Sequence, residues 1–137
     1  MLDEDFGLLQ QLYDTSDIIM AQSIRGDLKY RKGDSVQAQA LYQEALQHAN
    51  ASADKRKTGR CLVGLAQVFL AQEIAERATY LLGAAAACLK PYDMYPEQYA
   101  SFQQTKDRLY ILLGEVDFAR IWEEGNSATR EQILSTL

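Results

Sequence analysis

Two prolines, two cysteines, one histidine and one tryptophan are all that this chain of 137 residues carries of those four types, and each scarcity removes a class of protein. Pro91 and Pro96 fall in one short stretch, "KPYDMYP", so uninterrupted helices are permitted nearly everywhere else. Cys61 and Cys88 form no CxxC pattern and His48 has no histidine companion. Metal ligands come in tighter sets, so no metal and no cofactor is expected. Both cysteines sit in apolar helical stretches and read as small, reduced core residues. No apolar run approaches the ~18 residues of a membrane span. The opening Met1-Leu2-Asp3-Glu4-Asp5 is the opposite of a cationic leader, which gives a cytoplasmic expectation.

Positive charge is also short. The net charge is −5 and the pI about 4.8, which repels phosphate backbones and anionic lipid and argues against nucleic acid or membrane as the main partner. Lys55-Arg56-Lys57 with Arg60 one turn on is the densest basic cluster; it reads as a solvated helix face, with a weak hint of an acidic contact. Tyr92, Tyr95 and Tyr99 do not make a base-stacking platform, because Asp93 and Glu97 accompany them with Lys90 as the single base.

Catalytic constellations are absent as well. His48 stands between Gln47 and Ala49 with no nucleophile or acid in register, and reads as a solvated histidine. Glu123 and Glu124 are neighbours on a helix and point apart. Gly64 and Gly83 fall mid-helix, where they allow close packing rather than cradle a phosphate. The chain is expected not to be an enzyme. Trp122 fits either a plug on the C-terminal end of the core or an exposed hot spot.

What the chain does carry is a repeat. Adding 40 to Gly26, Leu28, Tyr30, Ala38, Tyr42 and Ala45 gives Ala66, Val68, Leu70, Ala78, Leu82 and Ala85. Small stays small and large apolar stays large at one common offset, the signature of stacked units. Each unit reads as two helices. In the first (16–50), a helix over 16–31 ends at Gly33, Asp34 caps the next with Gln37 in reply, and that helix runs to about 49. The second (54–90) has helices over 54–71 and 75–89. Glu73 stands where Gly33 stood, which predicts a differently shaped turn. A degenerate third unit (96–125) has helices over 96–113 and 115–124 around Gly114, with Asp107 at the small-residue position. "TREQ", Thr129 to Gln132, reads as a capping box for a closing helix within 129–137. Asp3 to Tyr13 reads as an amphipathic helix within 1–15. Two antiparallel helices approach closely only where side chains are short, and a large residue then plugs the gap to the next pair. The fold class is therefore all-α, about seven helices in one domain, with hairpins stacked because none buries its apolar face alone.

The spacing Ala38-x3-Tyr42, and in weaker form Ala78-x3-Leu82, resembles the second helix of tetratricopeptide repeats. That likeness implies an α-solenoid, a right-handed superhelix of antiparallel hairpins. A second likeness covers about 59–137. "LLGAA" at Leu81 to Ala85, "LGEVDFARIWEEG" at Leu113 to Gly125 and the Thr-capped last helix resemble the C-terminal helical arm of large bacterial ATP-binding transcriptional regulators of the LuxR family and related signal-transduction ATPases. No GxxxxGK[ST] loop and no helix-turn-helix is present, so the likeness extends to the arm alone.

By tetratricopeptide geometry, the groove-facing residues would be Ser23, Asp27, Tyr30, Arg31, Arg60, Val63 and Gln67, extended by Gln104 and Arg108. Arg31, Arg60 and Arg108 would act as carboxylate clamps. The leading expectation is an interaction scaffold binding a polar or acidic peptide segment. The alternatives are an effector-sensing arm that binds a small metabolite and self-association through the open N-terminal end, which has one helix before the first unit.

Overall fold

The computed structural model describes residues 15–52, 54–90 and 93–137, with only the backbone of 15–17 and 50–52. The amphipathic segment expected at Asp3 to Tyr13, together with Pro91 and Tyr92, lies outside the described residues. Those described are helical and contain no strand: α1 Thr15–Arg31, α2 Ser35–Ser52, α3 Lys55–Ala71, α4 Ala75–Cys88, α5 Pro96–Leu113, α6 Glu115–Asn126 and α7 Arg130–Ser135.

Local chemistry sets these boundaries. The Gln37 N–H donates to Asp34 Oδ1 at 3.0 Å, the cap expected for α2. The Lys57 N–H donates to Asp54 Oδ1 at 3.2 Å, a cap for α3 that the sequence pattern did not single out. Pro96 opens α5 at its first turn. Thr129 and Gln132 exchange side-chain-to-backbone bonds of 3.2 and 2.8 Å ahead of α7, so the capping box is formed.

α1 packs along α2, α3 along α4, and α2 along α3. The small–large stripe is the seam. Ala38, Ala45, Ala66, Ala78, Leu82 and Ala85 are fully buried, and Tyr42 nearly so. Tyr42 lies between two glycines: a Cβ on Gly26 would stand 2.8 Å from its ring, and one on Gly64 2.5 Å. One aromatic thus fills the space between the two helix pairs because α1 and α3 both leave it room. Leu28 and Val68, equivalent by the repeat, differ: Leu28 is about half exposed and Val68 fully buried. The preceding α2 lies against α3, whereas no described helix lies against that side of α1.

The turn expected to differ does not. In the first, the N–H groups of Lys32, Gly33 and Asp34 donate to the carbonyls of Leu28, Tyr30 and Lys29 at 3.1, 3.0 and 2.9 Å. Forty residues on, Gln72, Glu73 and Ile74 donate to Val68, Leu70 and Phe69 at 3.0, 3.0 and 2.9 Å. Gly33 has φ +82° and Glu73 φ +64°, so Glu73 is held left-handed by the packing of α3 on α4. Relief of that strain exceeds the entropy glycine adds to the unfolded chain. Glu73→Gly is therefore expected to stabilise the protein by about 0.5–1 kcal/mol. Urea denaturation checks the sign; a lower midpoint would show that Glu73 is not strained.

The third pair departs from the first two. α5 and α6 are joined by the single residue Gly114 (φ +85°) and make few contacts with each other; α6 instead lies antiparallel against α4. There Gly83 faces the Trp122 carbonyl and Gly125 faces the Tyr80 carbonyl so closely that neither position has space for a Cβ. Asn126 Nδ2 donates to the Gly83 carbonyl at 3.1 Å across the same seam. Trp122 is half-buried, stacked on Phe118 (5.4 Å between ring centroids) and edge-on to Phe102 (6.2 Å), with Lys106 Nζ 4.7 Å over its ring. It works as a plug rather than an exposed hot spot. Asp107, the misfit at the small-residue position, is exposed.

Candidate functional site

α1, α3 and the N-terminal part of α5 enclose a cleft of about 260 Å³. Ser23, Asp27, Tyr30 and Arg31 reach it from α1, and Arg60, Val63 and Gln67 from α3. These seven of the expected residues recur at i, i+3/i+4 and i+7 on their helices, so they share one stripe on each. Gln104 and Arg108 are not among them; both are exposed on α5, outside the cleft. α5 meets α3 at Ser101, whose Oγ accepts from Gln67 Nε2. Three and seven residues further on, Gln104 and Arg108 lie beyond the cleft's end. The far wall is instead Met94, Glu97, Gln98 and Ser101, with Leu89 behind. Sequence reasoning missed that wall because its place depends on how α5 crosses α3.

The floor is Tyr42 and Gly64. The Tyr42 hydroxyl donates to the Asp27 carboxylate in a short hydrogen bond. Burial first, then that bond and the Asp27 charge, keep the phenol protonated well above its usual range. The bond satisfies a hydroxyl that the core has enclosed and fixes the direction of the exposed carboxylate. Ser23 Oγ donates to the Ile19 carbonyl at 2.9 Å and lies 3.6 Å from Cys61 Sγ. Burial pushes the Cys61 thiol up to about 11, so it is an inert core thiol rather than a nucleophile. Cys88, also reduced, is half-buried.

Arg60 braces the far wall. Its Nη2 donates to the Asp93 carbonyl at 3.3 Å, its Nη1 lies 3.8 Å from Met20 Sδ, and its guanidinium stands 5.9 Å from the centre of the Tyr95 ring. Nε is buried with no hydrogen-bond partner among the described residues. Asp27, Arg31, Arg60 and Glu97 form no ion pair with one another or with any other described residue. The cleft therefore presents both signs of charge without ion pairs among the described residues, on a wall made partly of Met20, Val63, Leu89 and Met94.

The other residues considered for chemistry stay apart. His48 is half-buried on α2 rather than fully solvated, outside the cleft. Glu123 and Glu124 are exposed on α6. Among the described residues no group of three or more His, Cys, Asp or Glu could hold a metal ion, and no helix is long and apolar enough to cross a membrane.

Fold and cleft together define an all-α protein whose helix pairs nest through a small–large seam and leave a mixed-charge cleft beside it. Comparison with protein-family models, with curated proteins and with solved structures returned no match.

Proposed function

We propose that this chain is a non-catalytic interaction scaffold of the tetratricopeptide type, a short right-handed solenoid that binds a polar or acidic peptide segment in the cleft between α1, α3 and α5. The bacterial-regulator likeness of the second half suggests its setting: the helical arm of a transcriptional regulator, or a stand-alone relative, acting in signal transduction in the cytoplasm. One observation carries the reading. Seven residues that the tetratricopeptide likeness assigns to a groove line one cleft, and their charged members have no ion-pair partners among the described residues. A volume of about 260 Å³ is below the ~300–1,000 Å³ of sites that enclose a whole small molecule. It suits one or two side chains of a longer segment better than a free metabolite.

The test is an array of overlapping bacterial peptides probed with the full chain and with Arg31→Glu, whose folding is checked by circular dichroism. Loss of at least tenfold in binding to the peptides retained by the parent chain is expected. Unchanged binding removes this cleft. A thermal shift with a free metabolite, and no retained peptide, would favour the effector-sensing reading instead.

Self-association has its own support. The N-terminal end expected to carry it lies outside the described residues; Tyr110, Ile111, Leu112 and Val116, around the α5–α6 turn at the other end, are 45 to 80% exposed and offer apolar surface instead. Light scattering over a concentration series decides it: a constant monomer mass sets that reading aside.

A further inference from the structure

Asp27 and Arg31 stand four residues apart on α1, the spacing at which a carboxylate and a guanidinium ordinarily pair. They do not pair. The hydroxyl of Tyr42 holds the Asp27 carboxylate from below, and one hydroxyl leaves the remaining carboxylate lone pairs available. Tyr42 is itself clamped between Gly26 and Gly64, so the carboxylate is anchored through the core of the protein. Arg31 remains exposed on the same wall.

A ligand therefore meets a fixed anion and an exposed cation in sequence along one helix. Four residues of α-helix advance about 6 Å. In an extended peptide, side chains i and i+2 point the same way and lie about 6.6 Å apart. The two spacings agree to within the freedom of the side chains. Met20 and Val63, which also line the cleft, offer apolar surface for the methylene shaft of a long basic residue. Arg60 does not compete for the acidic group, because its guanidinium is engaged by the Asp93 carbonyl and the Tyr95 ring. Glu97, with no ion-pair partner among the described residues on the opposite wall, adds to the negative side.

Building on the proposal that the cleft binds a peptide, we infer that it reads a two-residue charge pattern in an extended segment: a lysine or arginine on Asp27 and, two residues away, an aspartate or glutamate on Arg31. This is narrower than a preference for acidic peptides. A segment with acidic residues alone would leave Asp27 facing like charge, and a basic segment would leave Arg31 so.

The probe is a displayed library of random decapeptides, selected on the immobilised full chain and, in parallel, on Asp27→Asn and Arg31→Gln. Asparagine keeps an acceptor for Tyr42, so Asp27→Asn removes charge with little else; circular dichroism confirms that both variants fold. The parent chain is expected to enrich peptides with a basic and an acidic residue separated by one position. Asp27→Asn is expected to lose the basic preference and keep the acidic one, and Arg31→Gln the reverse. Each variant should bind the parent's best peptide about tenfold more weakly. Enriched peptides without that charge pair, or both variants keeping the parent's preferences, overturn the inference and leave the peptide reading standing. No enrichment on the parent chain removes the peptide reading and the inference with it.

Discussion

Gly125→Ala is expected to cost about 3 kcal/mol or more, the largest effect of any single methyl group added to this protein. The reason is the nature of the obstacle. A Cβ at residue 125 would run into the backbone carbonyl, carbonyl carbon and Cα of Tyr80. A side chain in the way can rotate; a helix backbone has to move as a whole. α6 would be pushed off α4, opening the seam that holds Phe118, Ile121 and Trp122 against the core. It would also separate Asn126 from the Gly83 carbonyl it caps, leaving a part-buried acceptor without that partner. Gly83→Ala meets the Trp122 carbonyl across the same seam, so the two substitutions share one lesion. Their combined cost should be less than the sum of the separate costs. Urea denaturation followed by circular dichroism and by Trp122 fluorescence measures this. A loss under about 1 kcal/mol for Gly125→Ala would show that α6 does not approach α4 as described.

Gly64→Ala should come close behind, at about 2–3 kcal/mol, for a different reason. Its Cβ would stand 2.5 Å from the Tyr42 ring. The ring cannot move away, because Gly26 on the other side leaves only the width of a glycine. Displacing it also pulls the hydroxyl from Asp27. At the repeat offset Leu82 stands where Tyr42 does and Ala66 where Gly26 does, a smaller plug beside a larger small residue, which suggests the compensating change. In a Tyr42→Leu background, Gly64→Ala should cost less than half as much, although Tyr42→Leu alone is destabilising. A double-mutant cycle reads this coupling directly. Additive costs would mean that Gly64 and Tyr42 do not constrain one another.

These two glycines also mark how far the sequence could be read. The contact of Gly64 with Tyr42 lies inside the pattern that repeats at 40, so the first two helix pairs and the burial of their small residues were legible. The seven cleft residues came from the tetratricopeptide likeness and not from the repeat itself; they stay together because residues on one helix stripe do so once the helices pack. The repeat stops at α5. Gly114 joins α5 to α6 by one residue where the earlier turns use a short hydrogen-bonded loop, and α6 is drawn to α4 by a glycine pair, Gly83 with Gly125, that is 42 residues apart in sequence. No periodicity links those two positions. Gln104 and Arg108 came from carrying the tetratricopeptide likeness past the end of the repeat, and the wall of Met94, Glu97 and Ser101 was missed because the crossing of α5 over α3 departs from it. Glu73 erred in the opposite direction: local propensity argued for a new turn shape, and the packing of α3 on α4 overrode it.

The cleft and the seam are coupled through Tyr42, which is the plug between the helix pairs and the anchor of Asp27. A loss of binding caused by Asp27→Asn with unchanged stability would belong to the cleft. A loss caused by Gly64→Ala would come through the core. Stability and binding measured side by side keep the two apart.

The most direct measurement is hydrogen exchange of the full chain, with and without a peptide selected from the random library. Slower exchange is expected at Ser23 to Arg31, Arg60 to Gln67 and Met94 to Ser101, the three segments that line the cleft. Protection confined to α6 and α7, or to the apolar surface from Tyr110 to Val116, would contradict a peptide-binding cleft between α1, α3 and α5 and move the binding surface elsewhere on the molecule.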